Sequence, residues 1–280
     1  MYLIKLASKV TLTKCSIGVN GGKMELNPNK CKLVSFQRRH NPLTTSYVIS
    51  NTPVQLVQSY KYLGLTLCSD LTWAEHIRTI IAAANRTLGF LKRHLRNTPR
   101  HVKLLAYQSL VRSKLEYASS IWSPQHAYLI AALESLQNRA TRFIHSSYAY
   151  HISVSSLKEE IGLSSLSSRR RIATLCLFHK LFHSPLAIEP YISPPFRRSY
   201  RIGHVFQVAR QRSRTVTFAA SFFLRAAKDW NDLPTILQQS PVHQHLCIAS
   251  QAIFQTNSWL FLYVFCKPTP YVMSPWGPLR

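Results

Sequence analysis

Asp70, Asp229 and Asp232 are the only aspartates of this 280-residue chain. Two-metal catalysis needs carboxylates clustered tightly enough to bridge divalent ions about 3.5–4 Å apart. Asp70 stands alone, and Asp229 and Asp232 read as helix-end or solvated residues, too few ligands for an oxygen-donor site. His243, His245 and Cys247 would need a compact second pair to make a zinc knuckle, and Cys266 does not supply one. There is no Gly-x-Ser-x-Gly nucleophile elbow and no Gly-rich phosphate loop. His145, His151, His179 and His183 read as surface or partly buried helix histidines.

The chemistry the sequence does offer is the binding of polyanions. Lys+Arg number 35 against 10 Asp+Glu, a formal net charge of +25. A compact globule so charged repels itself unless a polyanion lies against it, and nucleic acid is the expected partner. From Ile77 to Leu115 there is no acidic residue, while Arg78, Arg86, Lys92, Arg93, Arg96, Arg100, Lys103, Arg112 and Lys114 all occur. Solvated helices ordinarily mix both signs, so this stretch reads as a phosphate-contacting surface. A second one-sign region, Tyr191 to Ala227, carries Arg197, Arg198, Arg201, Arg210, Arg212, Arg214 and Arg225. Tyr200 and Phe206 lie within it and could stack on unpaired bases.

A hydrophobic content of 46% suffices for one or two domains with real cores. Six scattered cysteines without a Cys-x-x-Cys pair fit buried thiols in a reducing compartment. No signal-peptide pattern opens the chain, so an intracellular site, cytoplasm and nucleus, is expected. The apolar tail from Leu246 to Cys266 is interrupted by Gln251, Gln255, Thr256, Asn257 and Ser258. A bilayer span needs about 20 mostly apolar residues, so a docked helix or an unmatched tail is expected rather than a membrane anchor.

The elements that must position these cations follow from periodicity. Lys30 to Phe36 predicts a strand, Tyr47 to Leu56 a short hairpin, and Tyr60 to Leu67 a further strand region in which Gly64 suggests a bulge or a close backbone approach. Thr72-x-x-Glu75 has the form of a capping box. The stripe Trp73, Ile77, Ile80, Ile81, Ala84, Leu88 and Leu91 then predicts an amphipathic helix whose cations lie largely off the apolar face. Thr98-Pro99 starts a second helix running to about Ser119. After Pro124, the stripe Leu129, Leu133, Leu136, Ala140, Phe143 and Ile144 predicts a third. Three such helices with short connections bury their stripes against one another as a bundle. A further helix is expected around Ser168 to His183, a Pro-rich linker from Pro185 to Pro195, and a last helix from Phe218 to Trp230 stopped by Leu233-Pro234.

Three blocks resemble the reverse transcriptases of non-LTR retrotransposons of the jockey-like and CR1-like kinds. They are Met24 to Lys32, the run Tyr60-Lys61-Tyr62-Leu63-Gly64-Leu65 leading into Asp70 to Ile77, and Leu115-Glu116-Tyr117 leading into Trp122-Ser123-Pro124. Trp230-Asn231-Asp232-Leu233-Pro234 is similar to a Trp-Asn-x-Leu-Pro box of the same proteins. The resemblance covers roughly residues 24 to 240. It implies an α+β fold, mainly α with a small N-terminal β portion: a palm remnant at 24–70 after a poorly patterned 1–23, and a helical thumb at 71–150. The sequence pattern adds a helical extension at 151–184, a Pro-rich then Arg-rich linker at 185–217, a terminal helix at 218–240 carrying that box, and an unmatched tail at 241–280.

The resemblance further implies an RNA-directed DNA polymerase in the parent family, a transposable-element enzyme using magnesium. The aromatic-x-Asp-Asp hairpin of its palm is not in this sequence, so the chain is expected to be inactive alone and to need no cofactor. Tyr60, Lys61, Tyr62 and Gly64 resemble the primer grip, equally readable as the edge and solvent face of a strand. Lys30 resembles the lysine placed near the leaving pyrophosphate, where it would act as a general acid; an exposed lysine at a strand start is the plainer reading. Expected partners are RNA, DNA or an RNA–DNA hybrid, and the palm and fingers of a parent polyprotein. Alternatives are a polymerase component completed in trans by a separate palm, and a basic protein anchored to membrane by its tail.

Overall fold

The computed structural model describes residues 3–4, 27, 30–36, 47–49, 52–124, 126–149, 151–184, 191–196, 206–234 and 238. Residues 241–280 and the arginines at 197, 198 and 201 lie outside them, as does Tyr200. The described part is mainly helical with a small N-terminal β portion, as expected of an α+β chain. It divides into two units, Met1–Arg78 and Thr79–Arg280. No helix among the described residues is long and apolar enough to cross a membrane.

In the first unit, β1 (Leu3–Ile4), β2 (Lys32–Val34) and β5 (Gln55–Leu56) form a three-stranded parallel sheet in the order β1-β2-β5. β3 (Val48–Ile49) and β4 (Thr52–Pro53) pair antiparallel, so the expected hairpin from Tyr47 to Leu56 closes early and releases Gln55 and Leu56 to the sheet. The strand region expected from Tyr60 to Leu67 is an antiparallel hairpin of β6 (Ser59–Tyr62) and β7 (Leu65–Cys68), with Tyr62 opposite Leu65. Gly64 is therefore no bulge. It shares a two-residue turn with Leu63, both at positive φ (84° and 44°), the pairing whose twist suits a tight hairpin.

The helix α1 (Ala74–His94) begins two residues after Thr72 and continues into the second unit. The capping box does not form: Asp70 takes the Thr72 N–H and hydroxyl (2.9 Å each), and Glu75 accepts from Ser59 and Cys68. A short carboxylate two residues upstream competes well for those donors. Of the predicted stripe, Ile77, Ala84, Leu88 and Leu91 are buried.

The second unit is helical. One continuous helical stretch comprises α2 (Arg100–Ala106), a π-helical segment (Tyr107–Arg112) and α3 (Ser113–Glu116). Thr98 does not cap it; its hydroxyl donates back to Leu95 O. The π segment turns Tyr107 and Val111 inward, both wholly buried. All six residues of the predicted stripe on α4 (Ala127–His145) are buried, and Ser146, left-handed at φ 53°, ends that helix. Arg139 to Asn85 Oδ1 (2.9 Å) and Lys114 to Thr87 Oγ1 (2.6 Å) tie α4 and α3 to α1.

Two shorter structures complete the unit. α5 (Val154–Glu160) leads into α6 (Leu166–Phe182), capped by Ser165 Oγ accepting from Ser168 N. Phe218 to Trp230, expected as one helix, is broken at Ala220–Ser221 into α7 (Val216–Ala219) and α8 (Phe222–Asn231). A second core gathers α6 and α8 with Ile192, Phe206 and Val208, which come from the expected linker. Trp230 is buried and donates to Phe206 O, and the Asn231 side chain both donates to and accepts from the Val208 backbone (2.9 and 3.0 Å). Cys31 and Cys68 are free thiols, but Cys176 is disulfide-bonded, against the expectation of thiols throughout.

Candidate nucleic-acid interface

In the first unit the hairpin β6–β7 carries the predicted Tyr60, Lys61, Tyr62 and Gly64. Strand alternation sends Tyr60 and Tyr62 to one face and exposed Lys61 to the other. The Tyr60 hydroxyl donates to Lys30 O (3.2 Å), so the structure brings Lys30, itself exposed, beside the hairpin. His76 at the start of α1 is buried and takes the Thr66 N–H on Nδ1 (3.3 Å). Burial first, and then Lys61, hold its imidazole below the ordinary range. Arg78 closes the unit exposed.

In the second unit the predicted cations separate into two groups. Arg86 and Arg93 are exposed and share a face of α1, being roughly 20° apart at 100° per residue and opposite Ala84, Leu88 and Leu91. Arg96 follows, also exposed, and Lys92 is half-buried beside them. Burial, and then the Arg139 guanidinium, lower the Lys92 ammonium from its usual range. Among the described residues no carboxylate pairs with Arg78, Arg86, Lys92, Arg93, Arg96 or Lys103.

The acids are engaged elsewhere. Glu116 accepts from Arg169 on both oxygens and also faces Arg112; Glu134 holds Lys158 (3.5 Å) and the Ser167 N–H (3.0 Å). Glu160 binds Arg100, whose hydrogen bond holds that carboxyl below its usual range. Arg100, predicted as a phosphate contact, is thus neutralised by a residue 60 positions away. Asp229 takes Arg171 on both oxygens, while Asp232 is exposed. With Asp70 occupied by Thr72, these donors do not fit a magnesium pair. Among the described residues no group of three His, Cys, Asp or Glu side chains could hold a metal ion.

Lys103 departs furthest from expectation. It is 3% exposed, its Nζ bonded to Ser146 Oγ (2.7 Å) and 5.4 Å from the Phe143 ring centre. It reaches a cleft of about 500 Å³ where the end of α1, the start of α2 and the end of α4 converge. Lys92 and Arg96 line the same cleft, with Asn97 and Tyr148. No carboxylate lines it. Arg139 and Tyr148 were not singled out from the sequence, because nothing local marks either as facing the α1 cations.

Phe206, proposed to stack on bases, is buried in the second core. Arg197, Arg198 and Arg201 lie outside the described residues. No family model matches the chain, and no curated protein or solved structure matches it either.

Proposed function

We propose that this chain holds nucleic acid by its phosphates, as the template- and primer-gripping part of a non-LTR retrotransposon reverse transcriptase whose catalytic carboxylates are not in this sequence. On that reading residues 24–70 are palm, 71–150 thumb, and the chain by itself does not polymerise. The observation that carries the proposal is the partition of charge in the second unit: Glu116, Glu134, Glu160 and Asp229 are taken up by ion pairs, while Arg86, Arg93 and Arg96 stand exposed with no carboxylate among the described residues. A surface left with one sign of charge attracts a polyanion through counterion release, without regard to base sequence.

Filter binding of RNA, DNA and hybrid oligonucleotides by the full chain tests it. Retention at low salt should fall linearly on a log–log plot against salt, with a slope of about −0.9 per phosphate contacted on a duplex. Arg86→Gln with Arg93→Gln should reduce the magnitude of that slope by about two. No retention of any of the three ligands at low salt would refute the proposal.

A further inference from the structure

The cleft at the junction of α1, α2 and α4 is more than a patch of charge. It has a floor, a wall and an aromatic lip. Lys103 forms the floor: an ammonium has three donors, and one is used by Ser146 Oγ. Burying a cation is costly unless something of opposite charge compensates it, and among the described residues no carboxylate does. Lys92 and Arg96 bring two more cations to the wall, and burial already strains the charge on Lys92. The cleft therefore gathers three cations with no carboxylate in its lining to offset them, a setting that attracts an anion.

The lip argues what kind of anion. Tyr148, 63% exposed, lines the same cleft just beyond the left-handed Ser146 that ends α4. An exposed ring beside a phosphate-sized concentration of positive charge suits a ligand with a phosphate at one end and a flat π-face at the other. A volume of about 500 Å³ lies in the usual range for small-ligand sites. Bases within a duplex keep their faces in the stack, so only an unpaired base can reach the ring.

We propose that this cleft lodges a single unpaired nucleotide, with its phosphate among Lys92, Arg96 and Lys103 and its base against Tyr148. The inference rests on the reading that the chain binds nucleic acid and adds to it a preference for a strand with an unpaired residue. Arg86 and Arg93 are not among the residues lining the cleft and would grip phosphates of any strand.

The test is fluorescence anisotropy on the full chain with a labelled eight-nucleotide single strand and a labelled blunt duplex. Tyr148→Ala, a change at an exposed position, should weaken single-strand binding at least about fivefold, the loss of one base–aromatic stack, and leave duplex binding unchanged. Tyr148→Phe should restore it. Adenosine monophosphate should compete with the single strand at concentrations where inorganic phosphate does not. The proposal is overturned if wild-type protein binds both ligands and Tyr148→Ala weakens neither or both equally, or if inorganic phosphate competes as well as the nucleotide. If wild-type protein binds neither ligand, the broader reading fails and this one with it.

Discussion

Cys68 lies six residues before the start of α1 and His76 two residues after it, and each is shifted by burial first and by charged neighbours second. Burial, and then the Glu75 carboxylate that accepts its thiol proton at 3.2 Å, push Cys68 up to about 12. The thiolate is the nucleophile, so alkylation of Cys68 near pH 8 should be far slower than that of an ordinary thiol. Glu75→Gln should accelerate it, as peptide mass spectrometry would show. His76 has the opposite sign of dependence. Its Nδ1 can accept the Thr66 N–H only while unprotonated, and its folded value lies below 6.5. Just below 6.5 the unfolded chain binds more protons than the folded one, so stability is lost as pH falls through that window. Urea unfolding followed from about pH 7 to about pH 5.5 should show the decline, and His76→Gln should lessen it.

Elements in this chain are held by a few side chains whose loss is measurable. Leu133 is wholly buried on α4, and Leu133→Ala should cost about 2–5 kcal/mol by thermal or urea unfolding. Asn231→Ala would strand both backbone groups of Val208 and should cost about 1–3 kcal/mol for each group left unpaired. Leu63→Gly should instead stabilise the β6–β7 hairpin, because a left-handed leucine costs roughly 1–2 kcal/mol. These sites also show what the sequence made legible. The α4 stripe was readable residue by residue because a 3.6-residue period marks a buried face. Leu63 was not, since no turn chemistry marks a leucine, and the π segment has no local signature. Thr72 and Glu75 fit a capping pattern that Asp70 outcompeted. Counting cations found Arg86, Arg93 and Arg96, but it could not see that Glu160 reaches Arg100 or that Lys103 is buried. Tyr148 joins the candidate site only through tertiary folding.

Across the whole molecule the dominant quantity is a net charge of +25. Like charges at this density disfavour the compact state, and a ligand that binds only the folded chain stabilises it by mass action. Heparin, a sequence-free polyanion, should therefore raise the melting temperature well beyond what sodium chloride of equal ionic strength achieves. A different consequence follows from Asn231 gripping Val208. The segment between them exposes Arg210, Arg212 and Arg214, each a trypsin site. A cut there severs the polypeptide without touching the clasp or the Trp230 core, so the nicked protein should still elute as one particle and part into two bands only on a reducing, denaturing gel.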